Sequence, residues 1–533
     1  MRKKTSTPPR KADSGQHTAL PSSTRRKWLL PVLPIFFVLT WLWAAWYYGS
    51  VFHISREYSF WVADTRVMEF ILSQSYGSLR YLGRAMLQLY QYPWLGGLLM
   101  ALMLSAGSWL AGYCMRLRPA WRPIQYLPAL GYMAVITFLG LDIFFEARTG
   151  LIFGIPFVVL LVLCIWGIMI RSFSRKSVPA IISIPTDETP RQNTMQLAVI
   201  VLCLAAIIGF DQWQRPYVRI ICQLLDMEYQ QDWAGIQKLA RANAKMSNRP
   251  MACSYAISLV QTGLVAERLF DIRLDYDSLY IHGMDGEHNN ASNLYVPEGD
   301  YYGGFIESAM HSSMEQMVMT GPTIRLLKLM TKCALMRSEW ELAEKYLTLL
   351  HRVPFEGAFC KKYSALLRQP ELVNADKEMA MIRLTEPIHD SFENQYQQPL
   401  FMGYNLMLVE GRSNNALINS LVVCLYTKLM PQFVERLEPL IGTTPPSIIM
   451  DGILLAENKN PGISQHFNGL NLREAQIQNF LQKVRPYIKD CPRYAYELFP
   501  RYKGYYPYYY FFGNLKATRK GYTSLQSSSS GVN

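Results

Sequence analysis

Cysteine is sparse and unpatterned in this chain. Nine cysteines occur among 533 residues, with no C-x-x-C pair and no spacing suited to zinc. Neither a structural zinc fold nor a thioredoxin-like redox motif is therefore encoded. Also absent are a phosphate-binding G-x-x-x-x-G-K loop, a G-x-G-x-x-G fingerprint, a G-x-S-x-G elbow and an H-E-x-x-H pair. Those gaps remove the common nucleotide-binding, serine-hydrolase and zinc-protease signatures, and no cofactor is expected. Sustained two-residue alternation is missing too, which argues against a β-rich fold. Charge is low at 17% and lopsided, giving a formal net charge of +13. Twenty Lys and Arg face only nine Asp and Glu before Gln212, so nearly all of the excess lies in the N-terminal part. No basic face is left for nucleic acid.

What is present is a series of long apolar runs. Trp28–Tyr48 has no charged residue over a length that spans the roughly 30 Å hydrocarbon core of a bilayer. Its Trp-rich composition and closing Trp46, Tyr47 and Tyr48 suit an uncleaved span with an interfacial aromatic belt, not a signal peptide. Similar runs at 94–115, 124–145, 151–170 and 195–210 complete an expected five spans, the last being the shortest and carrying Gln196. Gly96, Gly97, Ala101, Ala106, Gly107, Ala111 and Gly112 place the second span inside the bundle.

Basic residues mark alternate connections: the tail 1–27, Arg116–Arg122, and Arg171 with Arg175 and Lys176. The positive-inside rule then puts the N-terminus in the cytoplasm and, with five spans, the C-terminal domain in the periplasm. Arg80 and Arg84, in the first external loop, run against that pattern. They share a helical face with Gln88 and Gln91, opposite Leu79, Leu82, Met86 and Leu89, which predicts an amphipathic interfacial helix or a polar start to the second span.

Residues 212–514 read as helical, with apolar residues at three- and four-residue spacing and frequent Gly and Pro stops. The clearest unit runs from Pro322 to Pro354. One helix carries Leu326, Leu327, Met330 and Ala334 inward, and the next carries Leu342, Ala343, Tyr346, Leu347 and Leu350. This pair resembles a tetratricopeptide-type repeat, with Ala343 at the helix crossing, Pro354 at the end and Thr331 where a glycine is usual. Looser copies are read at 232–270 and at 400–440. Asp271–Gly304 is expected to be a long loop, and Arg501–Asn514 an aromatic cap on the last helices. The tail 515–533 reads as disordered.

Three stretches, Tyr81–Leu99, Arg325–Leu350 and Leu421–Leu437, resemble an uncharacterised family of bacterial polytopic inner-membrane proteins, common in Bacteroidota. That resemblance implies a multi-span N-terminal region followed by repeat-like helices, and it brings no catalytic residues.

Three clusters could carry chemistry. Glu57, Asp64 and Glu69 follow the first span, where resemblance to glycosyltransferases acting on lipid-linked sugars would make an acidic residue a base or metal ligand. Pairing with Arg56 and Arg66 is the plainer reading. His282, Asp285, Glu287 and His288 are metal-type ligands on a glycine-containing loop without a scaffold to fix their geometry. Asp275 and Asp277 form a D-x-D with no α/β sheet to support it. The overall expectation is an all-α protein of the bacterial inner membrane, in which a transmembrane bundle anchors a helical-repeat domain that binds a protein or peptide. A membrane-embedded glycosyltransferase is the second reading, and a transporter or assembly subunit the third.

Overall fold

The computed structural model describes residues 32–115, 117, 119–144, 148–173, 190–245, 248–274, 281–282, 288–289, 294–387 and 413–513. The basic tail, the Arg175–Lys176 loop, Asp275, Asp277, Asp285, Glu287, the 400–410 segment and the tail 515–533 lie outside those residues.

The described chain is all-helical apart from a two-residue antiparallel ladder, Ile281–His282 with His288–Asn289. Four helices are long and apolar enough to cross a membrane: Pro93–Met115 (α5), Trp121–Phe144 (α6), Arg148–Phe173 (α7) and Pro190–Gln214 (α8). At 23 residues α5 is about 34 Å long. The weakest apolar run in the sequence, 195–210, is thus the core of a full-length helix.

The expected first span departs more. Val32–Tyr47 (α1) ends in a π-helical turn at Trp43–Tyr47, and the chain bends by 59° into Gly49–Glu57 (α2). Tyr48, at the bend, is buried. Its hydroxyl and that of Tyr47 donate to Asp211 at 3.0 and 2.8 Å, and Arg219 donates to the same carboxylate at 2.7 Å. Trp46, by contrast, is 83% exposed. Of the three closing aromatics, two tie α1 to the end of α8 and one faces outward.

Contacts along the helices fix their directions. Phe36, early in α1, packs on Tyr126 near the start of α6 with ring centroids 4.8 Å apart. Gly97 near the start of α5 lies against Ala45, and Gly112 near its end lies against Gln125. Gly140, late in α6, meets Arg215 and Val218 beyond α8. Gly167, late in α7, lies near Cys114 at the end of α5. Hence α1, α6 and α8 run one way, α5 and α7 the other, and α1 begins at the bundle end remote from the C-terminal part. Leu102, Val135, Phe138, Leu161, Ile168 and Leu202 face outward. Exposed Trp46, Trp94 and Trp213 sit toward one end of the bundle, and Trp109, Trp121 and Trp166 toward the other.

Between α2 and α5 lie Thr65–Leu72 (α3) and Gly77–Gln88 (α4). The amphipathic expectation for α4 is met only in part: Met86 of the apolar face is buried, but so is much of the polar face. Gly83, Arg84, Leu87 and Gln88 are buried, while Leu82 is 39% exposed. Glycine explains the burial of the polar face. A Cβ on Gly83 would stand 1.8 Å from the Gly150 carbonyl oxygen, and one on Gly154 would stand 2.1 Å from that of Leu79. The G-x-x-x-G pair of α7 therefore brings α4 into backbone contact and draws its polar face inward.

The C-terminal part stacks successive helices: Pro216–Tyr229 (α9), Trp233–Ala242 (α10), Arg249–Thr262 (α11), Val265–Arg268 (α12), Val296–Gly303 (α13), Ile306–Thr320 (α14), Ile324–Met336 (α15), Trp340–Leu350 (α16), Gly357–Arg368 (α17) and Lys377–Arg383 (α18). One turn recurs between consecutive helices here and between Asn414–Tyr426 and Met430–Glu435 further on. A left-handed residue (Gln231, Gly304, Ser338 or Lys428) precedes one near φ −88°, ψ +70° (Asp232, Phe305, Glu339 or Leu429). In each case the second residue's amide reaches back to the preceding helix, as Glu339 does to the Ala334 carbonyl at 2.8 Å. Thr331 and Ala343, the anticipated crossing residues of α15 and α16, are both fully buried. α13 falls inside the expected loop. Its P-E-G-D-Y-Y-G sequence reads as turns, yet Pro297 suits a first helical turn and Gly304 ends the helix at φ +90°. The terminal aromatic segment is a buried helix, Tyr506–Phe512, with Tyr509 packed on Phe270 and Tyr426. All nine cysteines are free thiols.

A single hydrophobic cluster runs from Val32 to Phe512, so the bundle and the C-terminal helices share one core. Gly83→Ala is expected to destabilise the protein by roughly 1–3 kcal/mol through overpacking. Gly131→Ala, where nothing lies within 4 Å of the added Cβ, should leave stability unchanged or slightly raised. Thermal unfolding of the two variants in detergent checks this.

Candidate functional site

Helix α15 carries the most unusual chemistry in the fold. Thr323 caps it, its hydroxyl accepting from the Leu326 amide at 3.2 Å. The Ile324 amide donates to the Ser59 carbonyl at 3.0 Å, which ties the cap to the chain just beyond α2. Arg325, Lys328 and Lys332 follow at three- and four-residue spacing and so share a face. Each meets a carboxylate brought from elsewhere in the chain.

Arg325 pairs with Glu298 of α13 through both oxygens, donates to Gln316 at 3.2 Å, and lies 4.7 Å from the Tyr58 ring centroid. Lys328 donates to both oxygens of Glu57, at 3.0 and 3.1 Å, and pairs with Glu356 at 3.0 Å. Arg56 closes that group: it donates to Glu57 and approaches Glu356, both at 2.7 Å, and reaches the Pro354 carbonyl at 2.9 Å. Lys332 donates to Glu378 at 2.8 Å, and Gln231, Tyr302 and Tyr363 donate to the same carboxylate. Burial works against the charge on Arg325 and on Lys332, but Glu298 and Glu378 respectively override it and hold both above their ordinary values.

Glu228 of α9 is the exception. Burial, reinforced by Glu298, raises its carboxyl from 4.5 to about 8. The Ser254 hydroxyl donates to one oxygen at 3.2 Å.

Of the acidic residues singled out after the first span, Glu57 belongs to this buried array, and its partners are Arg56 and Lys328. Asp64 caps α3 by accepting from the Arg66 amide at 2.9 Å, and it pairs with Arg352 at 3.0 Å. Glu69 is exposed. The three are spread over two elements and do not converge on one cavity. His282 and His288 are register partners in the short ladder, a scaffold not anticipated from the sequence. Among the described residues no group of three or more His, Cys, Asp or Glu could hold a metal.

Sequence reasoning missed Arg325, Lys328 and Lys332. Their spacing was a usable signal, whereas Glu298, Glu356 and Glu378 had none.

A smaller feature adjoins the array. Ser59, Phe144, Thr320, Thr323 and Arg325 line a cleft together with Arg84, which is only 9% exposed. Burial lowers Arg84 from 12.5 to about 10, with Arg80 adding to the effect.

Fold and array together define an all-α protein in which four helices fit to cross a bilayer carry a large helical C-terminal part. The chain belongs to the family of unknown function DUF6057, whose family model matches residues 25–186 and 143–513. No curated protein and no solved structure matches it.

Removing Lys328 leaves two buried carboxylates, Glu57 and Glu356, sharing Arg56. Lys328→Met is expected to cost about 3–5 kcal/mol, and adding Glu57→Gln should recover part of that loss. A double-mutant cycle by thermal unfolding measures the coupling. For Glu228 the sign runs the other way from a paired acid. Between pH 4.5 and about 8 the folded chain keeps a proton that the unfolded chain has released. Stability therefore falls as pH rises through that window. Glu228→Gln should remove most of the slope between pH 6 and 8 and stabilise the protein at pH 8 by up to about 4 kcal/mol, read from unfolding midpoints between pH 5 and 9.

Proposed function

We propose that this is a multi-pass protein of the bacterial inner membrane that holds a tetratricopeptide-like domain against the periplasmic face for binding a protein or peptide partner. The observation that carries the reading is the outward apolar surface of the bundle, bounded by tryptophans toward each end. Such a surface is costly in water and matches a hydrocarbon layer with interfacial aromatics. The recurring left-handed turn between successive helices supports the repeat reading, since stacked identical hairpins generate extended grooves.

Orientation follows from helix direction and charge. α1 starts at the end remote from the C-terminal domain, so an odd number of crossings separates the two. The N-terminal tail and the Arg116–Arg122 connection both adjoin that remote end and are basic, which makes it cytoplasmic.

Array and shared core give the arrangement its purpose. A domain needed only near the membrane could hang on a linker. This one is joined by Glu57 to Lys328 and by Arg219 of α9 to Asp211 of α8, so its binding surface keeps a set height and angle above the bilayer.

Two measurements test the proposal on the full chain. A reporter fused after Asn533 should be active only outside the cytoplasm, and cytoplasmic activity would refute the orientation. Photo-crosslinkers at the exposed positions Glu344 and Lys361 in intact cells should capture one discrete partner. Crosslinkers at Leu102 or Leu202, on the apolar belt, should capture lipid instead. Absence of any protein adduct at the repeat positions would refute the binding role.

A further inference from the structure

Arg84 differs from the buried cations of the α15 array in having no carboxylate beside it. Arg56, Arg325, Lys328 and Lys332 each face a carboxylate. Among the described residues Arg84 faces none, and its Nε has no hydrogen-bond partner. The nearest charge that acts on it is another cation, Arg80, whose side chain donates to Gln74 at 3.0 Å. Arg325, across the cleft, is neutralised by Glu298 and contributes no net charge. A buried charge without a partner costs several kcal/mol, on the order of what holds a domain folded. Orphans of this kind are found where a ligand completes the set.

The surroundings describe that ligand. Arg84 opens onto the cleft beside Thr323, whose hydroxyl accepts from the Leu326 amide and can donate its own proton, and beside Ser59 and Thr320, whose hydroxyls donate to the Arg56 and Gln316 carbonyls. A guanidinium fork with nearby hydroxyls suits a tetrahedral oxyanion, since it can offer two parallel N–H donors to two oxygens. The cleft lies where α4, the end of α6 and the start of α15 meet, at the bundle end that carries the C-terminal domain. Just before Thr320, Val318 and Met319 are exposed, Val318 at 84%, so apolar side chains flank the cleft on the domain side.

We propose that this cleft binds a phosphate group, with Arg84 as the contacting residue, and that the group comes either from a phospholipid headgroup at the outer membrane surface or from a free phosphate ion. The lipid source rests on the membrane reading above. The orphan guanidinium does not.

The test uses full-length protein in a neutral detergent, with wild type, Arg84→Met and Arg84→Lys side by side. Inorganic phosphate should raise the wild-type Tm by at least about 2 °C at saturation, through preferential binding to the folded state. Arg84→Lys should keep part of that shift, because an ammonium retains the charge and loses the fork. Arg84→Met should show none of it. Its Tm without phosphate should equal or exceed that of wild type, because an unpaired buried charge has been removed. A merely structural arginine would give the opposite result, a lower Tm with the phosphate shift preserved. Native mass spectrometry with added phosphatidylglycerol separates the sources. One fewer retained lipid on Arg84→Met supports the headgroup, and equal lipid retention with a phosphate shift lost in Arg84→Met supports the free ion. Glu146→Gln is a necessary control, because Glu146 lies close in sequence to the Phe144 wall and outside the described residues. The phosphate shift should survive it unchanged; a shift that appears only in Glu146→Gln would show that Glu146 is the natural partner and overturn the proposal. Equal shifts in wild type and Arg84→Met, or no shift in wild type with either ligand, would overturn it as well. A chain that stays soluble without detergent would refute the membrane reading alone, since the phosphate titration could still be read.

Discussion

A charge removed from water has to be met by another charge, and in this protein that requirement joins the two halves of the chain. Glu57 lies at the end of the second helical segment, and Lys328 and Glu356 lie some 270 and 300 residues later. None of the four groups in the Arg56–Glu57–Lys328–Glu356 set can be left in a dry interface alone. The set therefore forms only when the start of α15, the Pro354 turn and the end of α2 arrive together. The apolar core supplies most of the attraction, and the ionic set supplies the register in which the surfaces meet.

The same logic extends along α15. Its apolar residues, Leu326, Leu327 and Met330, are buried, as any helix of a stacked array requires. Its basic face is directed at α13, α2 and α18 through Glu298, Glu57 and Glu378. One helix thus serves two kinds of packing, dispersive on one side and electrostatic on the other. Tyrosines mediate between them: Tyr302 and Tyr363 each place a ring in the core and a hydroxyl on Glu378.

Much of this fold was legible in the sequence, because long apolar runs and three- and four-residue spacing are local properties. The long helices and the α15–α16 pair were read on that basis. The bend at Tyr48 was hidden, since it depends on Asp211, more than 160 residues away. The burial of the polar face of α4 was hidden for a similar reason. Arg80, Arg84 and Gln88 look like a solvated stripe until Gly83 is set against Gly150 and Gly154. The helix Val296–Gly303 looked like turns because Pro and Gly are locally disruptive, whereas here Pro297 opens it, Gly303 and Gly304 close it and Gly299 is held inside it by burial. The ionic array was half legible: the cations share one helix, but their carboxylates are scattered from Glu57 to Glu378.

Synthesis runs from the N-terminus, and this gives the Glu57 cluster a temporal meaning. When α2 leaves the ribosome, Arg56 and Glu57 have each other; Lys328 follows some 270 residues later, and the set is complete only when the chain has grown past Glu356. Throughout that interval the nascent bundle exposes an unfinished polar socket at its rim. A chain cut short anywhere before the Pro354 turn would keep that socket open permanently. A filled socket therefore records that synthesis has passed Glu356, at the join between the helical bundle and the C-terminal part.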